Sequence, residues 1–204
     1  MNQSKNVRQH ILDTAEAIIS HKGFSAVGLN EILKAAGTPK GSFYHYFSSK
    51  EAFGAALLEY YFQRYIQELE SLLNAPDINP KDALMQYWYK WYETQSCQTI
   101  QNKCLVVKLA AEVCDLSEDM RHVLQRGVQS AIETLTHTIE RTEVVQSSSN
   151  SALLAKKLAE GLYQLWLGAS LHAKIMHNDQ PLEAALETTR TWLNIDLHET
   201  SPSG

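Results

Sequence analysis

No apolar run in this 204-residue chain approaches the roughly 18 residues that a membrane-spanning helix needs, so no span is expected. The opening residues, MNQSKNVRQH, lack the apolar centre of a secretion signal. Cysteine is scarce: there are three, an odd number, and no Cys-x-x-Cys pair. That pattern speaks against a secreted disulfide framework and against a metal site. It fits a reducing, cytoplasmic setting. Glycine-rich phosphate loops and nucleophile elbows are also missing. Neither an enzyme nor a bound cofactor is therefore expected.

What is present is ample core material, 44% hydrophobic residues, and a divided charge. The net charge of −5 looks wrong for a partner of nucleic acid. Residues 1–54, however, hold six Lys/Arg against four Asp/Glu, while the remaining 150 hold twelve against nineteen. The basic end can face phosphate and the acidic remainder can face away. So small a surplus implies that tight binding needs two copies.

The basic end contains Leu29 to Lys50, LNEILKAAGTPKGSFYHYFSSK. Leu29, Ile32, Leu33 and Ala36 form a helical apolar stripe. Gly37 stops that helix, because glycine tolerates the left-handed conformation of a sharp turn. Thr38 suits an N-cap and Pro39 a first helical position, so a second helix is expected from Pro39 to Phe47. It carries Lys40, Ser42, Tyr44 and His45 beside apolar Phe43 and Phe47. Gly41 costs that helix about 1 kcal/mol relative to alanine. A bare backbone there makes sense where a phosphate or base edge must come close. The bland alternative, a helical hairpin in a bundle, explains neither Gly41 nor the polar-tipped run Tyr44–His45–Tyr46. The pattern is a helix-turn-helix, whose second helix enters the major groove of double-stranded DNA.

KGSFYHYFSSKEAF resembles the recognition-helix signature of the TetR family, and the similarity spans about Arg8 to Leu58. The resemblance implies an all-α homodimer that binds operator DNA and senses a small molecule. A three-helix DNA-binding domain over 1–54 would precede a sensing and dimerisation domain over 55–204. It also implies a phosphate-binding role for Lys50. Lys40 and His45 would then reach base edges, and Thr38, Tyr44 and Lys50 would hold phosphates, with Pro39, Gly41 and Ser42 completing the surface.

Periodicity expects about nine helices in all. One, over Lys81–Gln98, carries YWYKWYETQ, in which Trp88, Trp91 and Tyr92 share a face. That face is either core packing or, with Lys108, the wall of a pocket for an aromatic or cationic ligand. Another, over Ala152–His177, is apolar on nearly every side. One face of it can meet its own core and the other a second subunit. A last helix follows Pro181, with Leu182, Ala185, Leu186, Thr189, Trp192 and Leu193 facing inward.

Among the cysteines, Cys104 sits near the start of a short helix expected over Lys103–Cys114, where the helix dipole and Lys103 and Lys108 favour a thiolate. Cys114 sits at the opposite end beside Asp115, and Cys97 lies among uncharged residues. A Cys104–Cys114 disulfide is excluded while the helix is intact, since ten residues span about 15 Å. CLVVKLAAEVCDLSEDMR (Cys104–Arg121) and LWLGASLHAKI (Leu165–Ile175) further resemble the members of the family that release DNA when a cysteine is modified by an electrophile or oxidant. That resemblance places the sensing cysteine at Cys104 and an associated lysine at Lys174. Reversible ligand binding remains the alternative route to release. An enzyme with Cys104 as nucleophile would need a base such as His122 or His172, and no catalytic motif supports it.

Overall fold

A computed structural model describes residues 2–96, 104–146 and 149–194, with side chains from residue 7 onward. All regular elements among the described residues are helices. They are α1 (Asn2–Lys22), α2 (Leu29–Ala35), α3 (Lys40–Tyr46), α4 (Lys50–Leu73), α5 (Pro80–Gln95), α6 (Leu105–Leu116), α7 (Glu118–Glu140), α8 (Glu143–Gln146), α9 (Ser151–Met176) and α10 (Gln180–Trp192). The extra helix is the single turn α8. The Thr142 hydroxyl donates to the Ile139 carbonyl at 2.6 Å just beyond Glu140, where α7 ends. A side-chain donor competing for a helix carbonyl is a common cause of such a stop.

Two further boundaries differ from expectation. Pro39, extended at φ −64° and ψ 147°, is the N-cap of α3, and Thr38 is not. The Thr38 hydroxyl turns back to the Ala36 carbonyl at 3.1 Å instead. α6 runs through Asp115 and Leu116, and the break falls at Ser117, whose hydroxyl accepts the Met120 N–H at 3.3 Å. Gly37 makes the expected turn, and side chains cap two other helix starts. Gly37 turns at φ +58°, Ser49 Oγ accepts the Ala52 N–H at 3.0 Å, and Asn79 caps α5.

The chain divides into two compact units, Met1–Tyr65 with Gln101–Val128, and Ile66–Ile100 with Gln129–Gly204. In the first, Ile11, Leu12, Phe43, Phe53 and Leu57 are buried. The rings of Phe43, Phe47 and Phe53 pack with centroids 5.1–5.4 Å apart. Close approach needs bare backbone at two helix positions. A Cβ on Gly54 would lie 2.6 Å from Met120, and one on Gly127 would lie 2.3 Å from the Phe62 ring.

The second unit is built on tryptophan. Trp88 stacks on Trp166 at 5.2 Å, and Trp91 packs edge-on to Tyr163 at 5.6 Å. Trp91 Nε1 donates to Ser170 and Trp166 Nε1 to Thr189, each at 2.9 Å. The faces of α9 and α10 that lie away from this core expose Leu154, Leu171, Ile175, Met176 and Trp192. Trp192, expected to face inward, is 41% exposed. Its position follows from the spacing: Leu182, Ala185, Thr189 and Leu193 already complete the buried stripe.

Candidate functional site

The candidate DNA-contact face begins with the packing of α3. Phe43 is fully buried and Phe47 nearly so, and these two fix the helix against the first unit's core. Pro39, Lys40, Gly41, Tyr44 and His45 are exposed, and Thr38, Ser42 and Lys50 are half-buried. Tyr44 is 53% exposed, a large value for a ring this size. A Cβ at Gly41 would meet nothing within 4 Å, so no packing within the chain requires a glycine there. Lys50 heads α4 with its ammonium 4.9 Å from the Phe24 ring centroid. Arg8, which the sequence did not single out, lies 5.2 Å over Phe47.

Cys104 is the N-cap residue of α6 and is half-buried. Here a sequence-based expectation is corrected. Position at a helix start and neighbouring lysines suggested a favoured thiolate, but burial pushes the Cys104 thiol up. The Tyr61 hydroxyl and the backbone N–H groups of Val107 and Val106 act in the opposite sense without overcoming it. Desolvation acts on the whole charge of a thiolate, whereas each donor returns only part of it. Tyr61 Oη donates to Cys104 Sγ at 3.5 Å, and its ring stacks on Tyr65 at 5.9 Å. No sequence signal joins Tyr61 to Cys104, because they stand 43 residues apart. Cys97 and Lys103 lie outside the described residues.

The aromatic face of α5 packs within the second unit. Trp88 and Trp91 are buried in the second unit, with Tyr92 half-buried beside them. Burial, together with the charges of Asp179 and Glu183, raises the Tyr92 phenol above its ordinary value. Trp88 Nε1 is buried without a hydrogen-bond partner among the described residues. Lys108 belongs to α6 in the first unit. Lys174 is exposed on α9, in the second unit.

Two family descriptions match the chain. Residues 11–57 match "Bacterial regulatory proteins, tetR family", and residues 80–189 match "Tetracyclin repressor-like, C-terminal domain". The chain belongs to the TetR family. It is 45% identical to the HTH-type transcriptional repressor NemR of Escherichia coli K12 over 187 residues, 89% of this chain and 90% of that one. It is 31% identical to the repressor DhaR of Mycobacterium sp. (strain GP1), with 88% of each chain covered. The crystal structure of the reduced form of E. coli NemR superposes with a TM-score of 0.82, covering 91% of this chain and 96% of that one at 41% identity. The first TetR match ends within α4, so it contains all of α2 and α3 and the Lys50 helix start. No helix among the described residues is long and apolar enough to cross a membrane.

Proposed function

We propose that this TetR-family regulator is a repressor that binds a palindromic operator as a homodimer and lets go when Cys104 is modified by an electrophile or oxidant. The observation that carries the first half is the face of α3. Lys40, Tyr44 and His45 project from a helix pinned by Phe43, beside a Gly41 with open space in front of it. Residues 1–54 form the reading head and the remainder senses and dimerises. The exposed apolar residues of α9 and α10 meet their counterparts on a second copy. That pairing sets the two α3 helices into successive major grooves, about 34–36 Å apart or somewhat more. Lys40 and His45 read base edges, while Thr38, Tyr44 and Lys50 hold phosphates.

Release starts from a small thiolate fraction at neutral pH, since burial holds the thiol high. With an unsaturated carbonyl such as N-ethylmaleimide, the thiol proton leaves to solvent and the sulfur adds to the β-carbon. A C–S bond forms, the C=C π bond breaks, and a solvent proton ends on the α-carbon. With hypochlorous acid the thiolate attacks chlorine, forming S–Cl and expelling hydroxide. An adduct at a half-buried N-cap displaces α6 and so the reading head.

The test is retention of genomic DNA fragments on the purified protein, followed by challenge with N-ethylmaleimide. Retained fragments should share a two-fold symmetric sequence. The reagent should release them from the wild type and not from Cys104→Ser. Release from Cys104→Ser at the same dose refutes the thiol switch. A second reading, reversible binding of an aromatic ligand in the second unit, rests on the Trp88 indole N–H, which has no partner among the described residues. A ligand of that kind would release DNA while leaving no mass adduct on Cys104.

A further inference from the structure

The turn between α1 and α2 is held from outside itself. Phe24 N–H donates to Glu112 Oε2 at 3.1 Å, and the next amide, Ser25 N–H, donates to Glu112 Oε1. Both oxygens of one carboxylate thus close on two successive backbone groups, 88 and 87 residues away in sequence. Gly23 makes room for this. It turns at φ +91°, and a Cβ there would sit 3.1 Å from the same Oε2. Burial pushes the Glu112 carboxyl up, but the hydrogen bonds from Ser25 and Phe24 and the charge of Lys108 outweigh it and hold it below its ordinary value.

What the carboxylate holds matters more than the turn itself. Phe24 is 3% exposed, and its ring fills the space left by the missing side chain of Gly54 on α4, 2.7 Å from where a Cβ would stand. The Lys50 ammonium rests over that same ring. Glu112 lies eight residues from Cys104 along α6, about 12 Å of helix. One short helix therefore has the thiol at its first cap and, two turns on, a grip on the residue that seats Lys50.

We propose that Glu112 is the positioning residue through which α6 holds the reading head, so that displacing Cys104 loosens the Phe24–Ser25 turn and Lys50 with it. The inference rests on the thiol switch proposed above and specifies how that switch reaches DNA. An α-helix of three turns moves as a rigid piece. A carboxylate set at hydrogen-bonding distance from two amides loses both with a small shift.

The experiment compares full-length wild type with Glu112→Gln, a variant of equal size with one acceptor oxygen and no charge. Operator affinity is measured before and after N-ethylmaleimide, together with the alkylation rate of Cys104. Wild type should lose affinity within the usual range for coupled sites, about 5- to 150-fold. Glu112→Gln should start weak, near the alkylated wild type, and alkylation should change it by less than about twofold, although Cys104 reacts at the wild-type rate. Wild-type affinity in Glu112→Gln, or weak affinity with an undiminished release ratio, overturns the proposal and leaves the thiol switch standing. Wild type that keeps its DNA when alkylated overturns both. Hydrogen exchange on the unmutated protein gives an independent reading. The Phe24 and Ser25 amides should lose protection on alkylation, and unchanged protection while DNA is released overturns the proposal.

Discussion

Replacing Tyr61 by phenylalanine removes one hydroxyl and keeps the ring that stacks on Tyr65 and packs edge-on to Phe62 at 5.4 Å. The hydroxyl donates to Cys104 Sγ at 3.5 Å, a long contact to a weak acceptor. Its worth to the thiolate is therefore put below the usual charge-assisted range, at about 1 kcal/mol. About 1.36 kcal/mol corresponds to a tenfold change in an ionisation equilibrium, so losing the hydroxyl should push the thiol further up. Thiolate fraction then falls about three- to tenfold at pH values well below the midpoint. The more basic thiolate is also the better nucleophile, with a Brønsted coefficient near 0.4–0.5, which offsets part of the loss. The net slowing of alkylation at neutral pH should be about two- to fourfold. The assay is the pH–rate profile of iodoacetamide alkylation, followed by intact mass in a Cys97→Ser/Cys114→Ser background. Tyr61→Phe should move the midpoint upward and slow the neutral-pH rate. At high pH, where both proteins are ionised, the variant should equal or slightly exceed its parent. An unmoved midpoint, or one moved downward, refutes the role assigned to Tyr61.

Three further outcomes are expected. Lys50→Ala should weaken operator binding and lower the slope of log affinity against log salt by about one per copy, or two per dimer, as read by fluorescence anisotropy at several ionic strengths. Gly127→Ala should destabilise the protein, because overpacking against Phe62 costs about 1–3 kcal/mol and the gain in helix propensity returns only about 1 kcal/mol. Differential scanning calorimetry should show a melting temperature lower by up to a few degrees, and a raised value refutes the close approach. The Glu112 clamp should also depend on pH with a defined sign. Its folded pKa is depressed, so its contribution is fully present above the ordinary glutamate value of about 4.3 and is lost as pH falls through the lower folded value. The stability difference between wild type and Glu112→Gln should therefore be constant near neutrality and vanish in acid.

The helix-turn-helix was legible in the sequence because its signals are local. Gly37 turns where a left-handed residue was required, and in the short helix that follows Phe43 and Phe47 are buried while Lys40, Tyr44 and His45 are exposed. The tryptophans of α5 were legible as a cluster but not in purpose. One stripe of a helix cannot say what it packs against, and Trp166 and Ser170 lie more than seventy residues on. Cys104 shows a different limit. Helix position and neighbouring lysines are visible in the sequence and argue for a low thiol pKa. Burial, which depends on the fold, is the larger effect and points the other way. Glu112 gave no sequence signal of its contacts, because the amides it holds belong to a turn nearly ninety residues earlier.

The most direct measurement is on the reading face itself. A Lys40→Ala/His45→Ala double variant, checked for native circular dichroism, is titrated against the retained operator and a scrambled duplex at one fixed salt concentration. Each lost base contact costs about 1–3 kcal/mol, and two copies lose four between them, so the preference for operator should fall by at least about a hundredfold. Binding to the scrambled duplex should change far less. A double variant that still separates operator from scrambled DNA as sharply as the wild type would contradict the assignment of α3 as the helix that reads DNA.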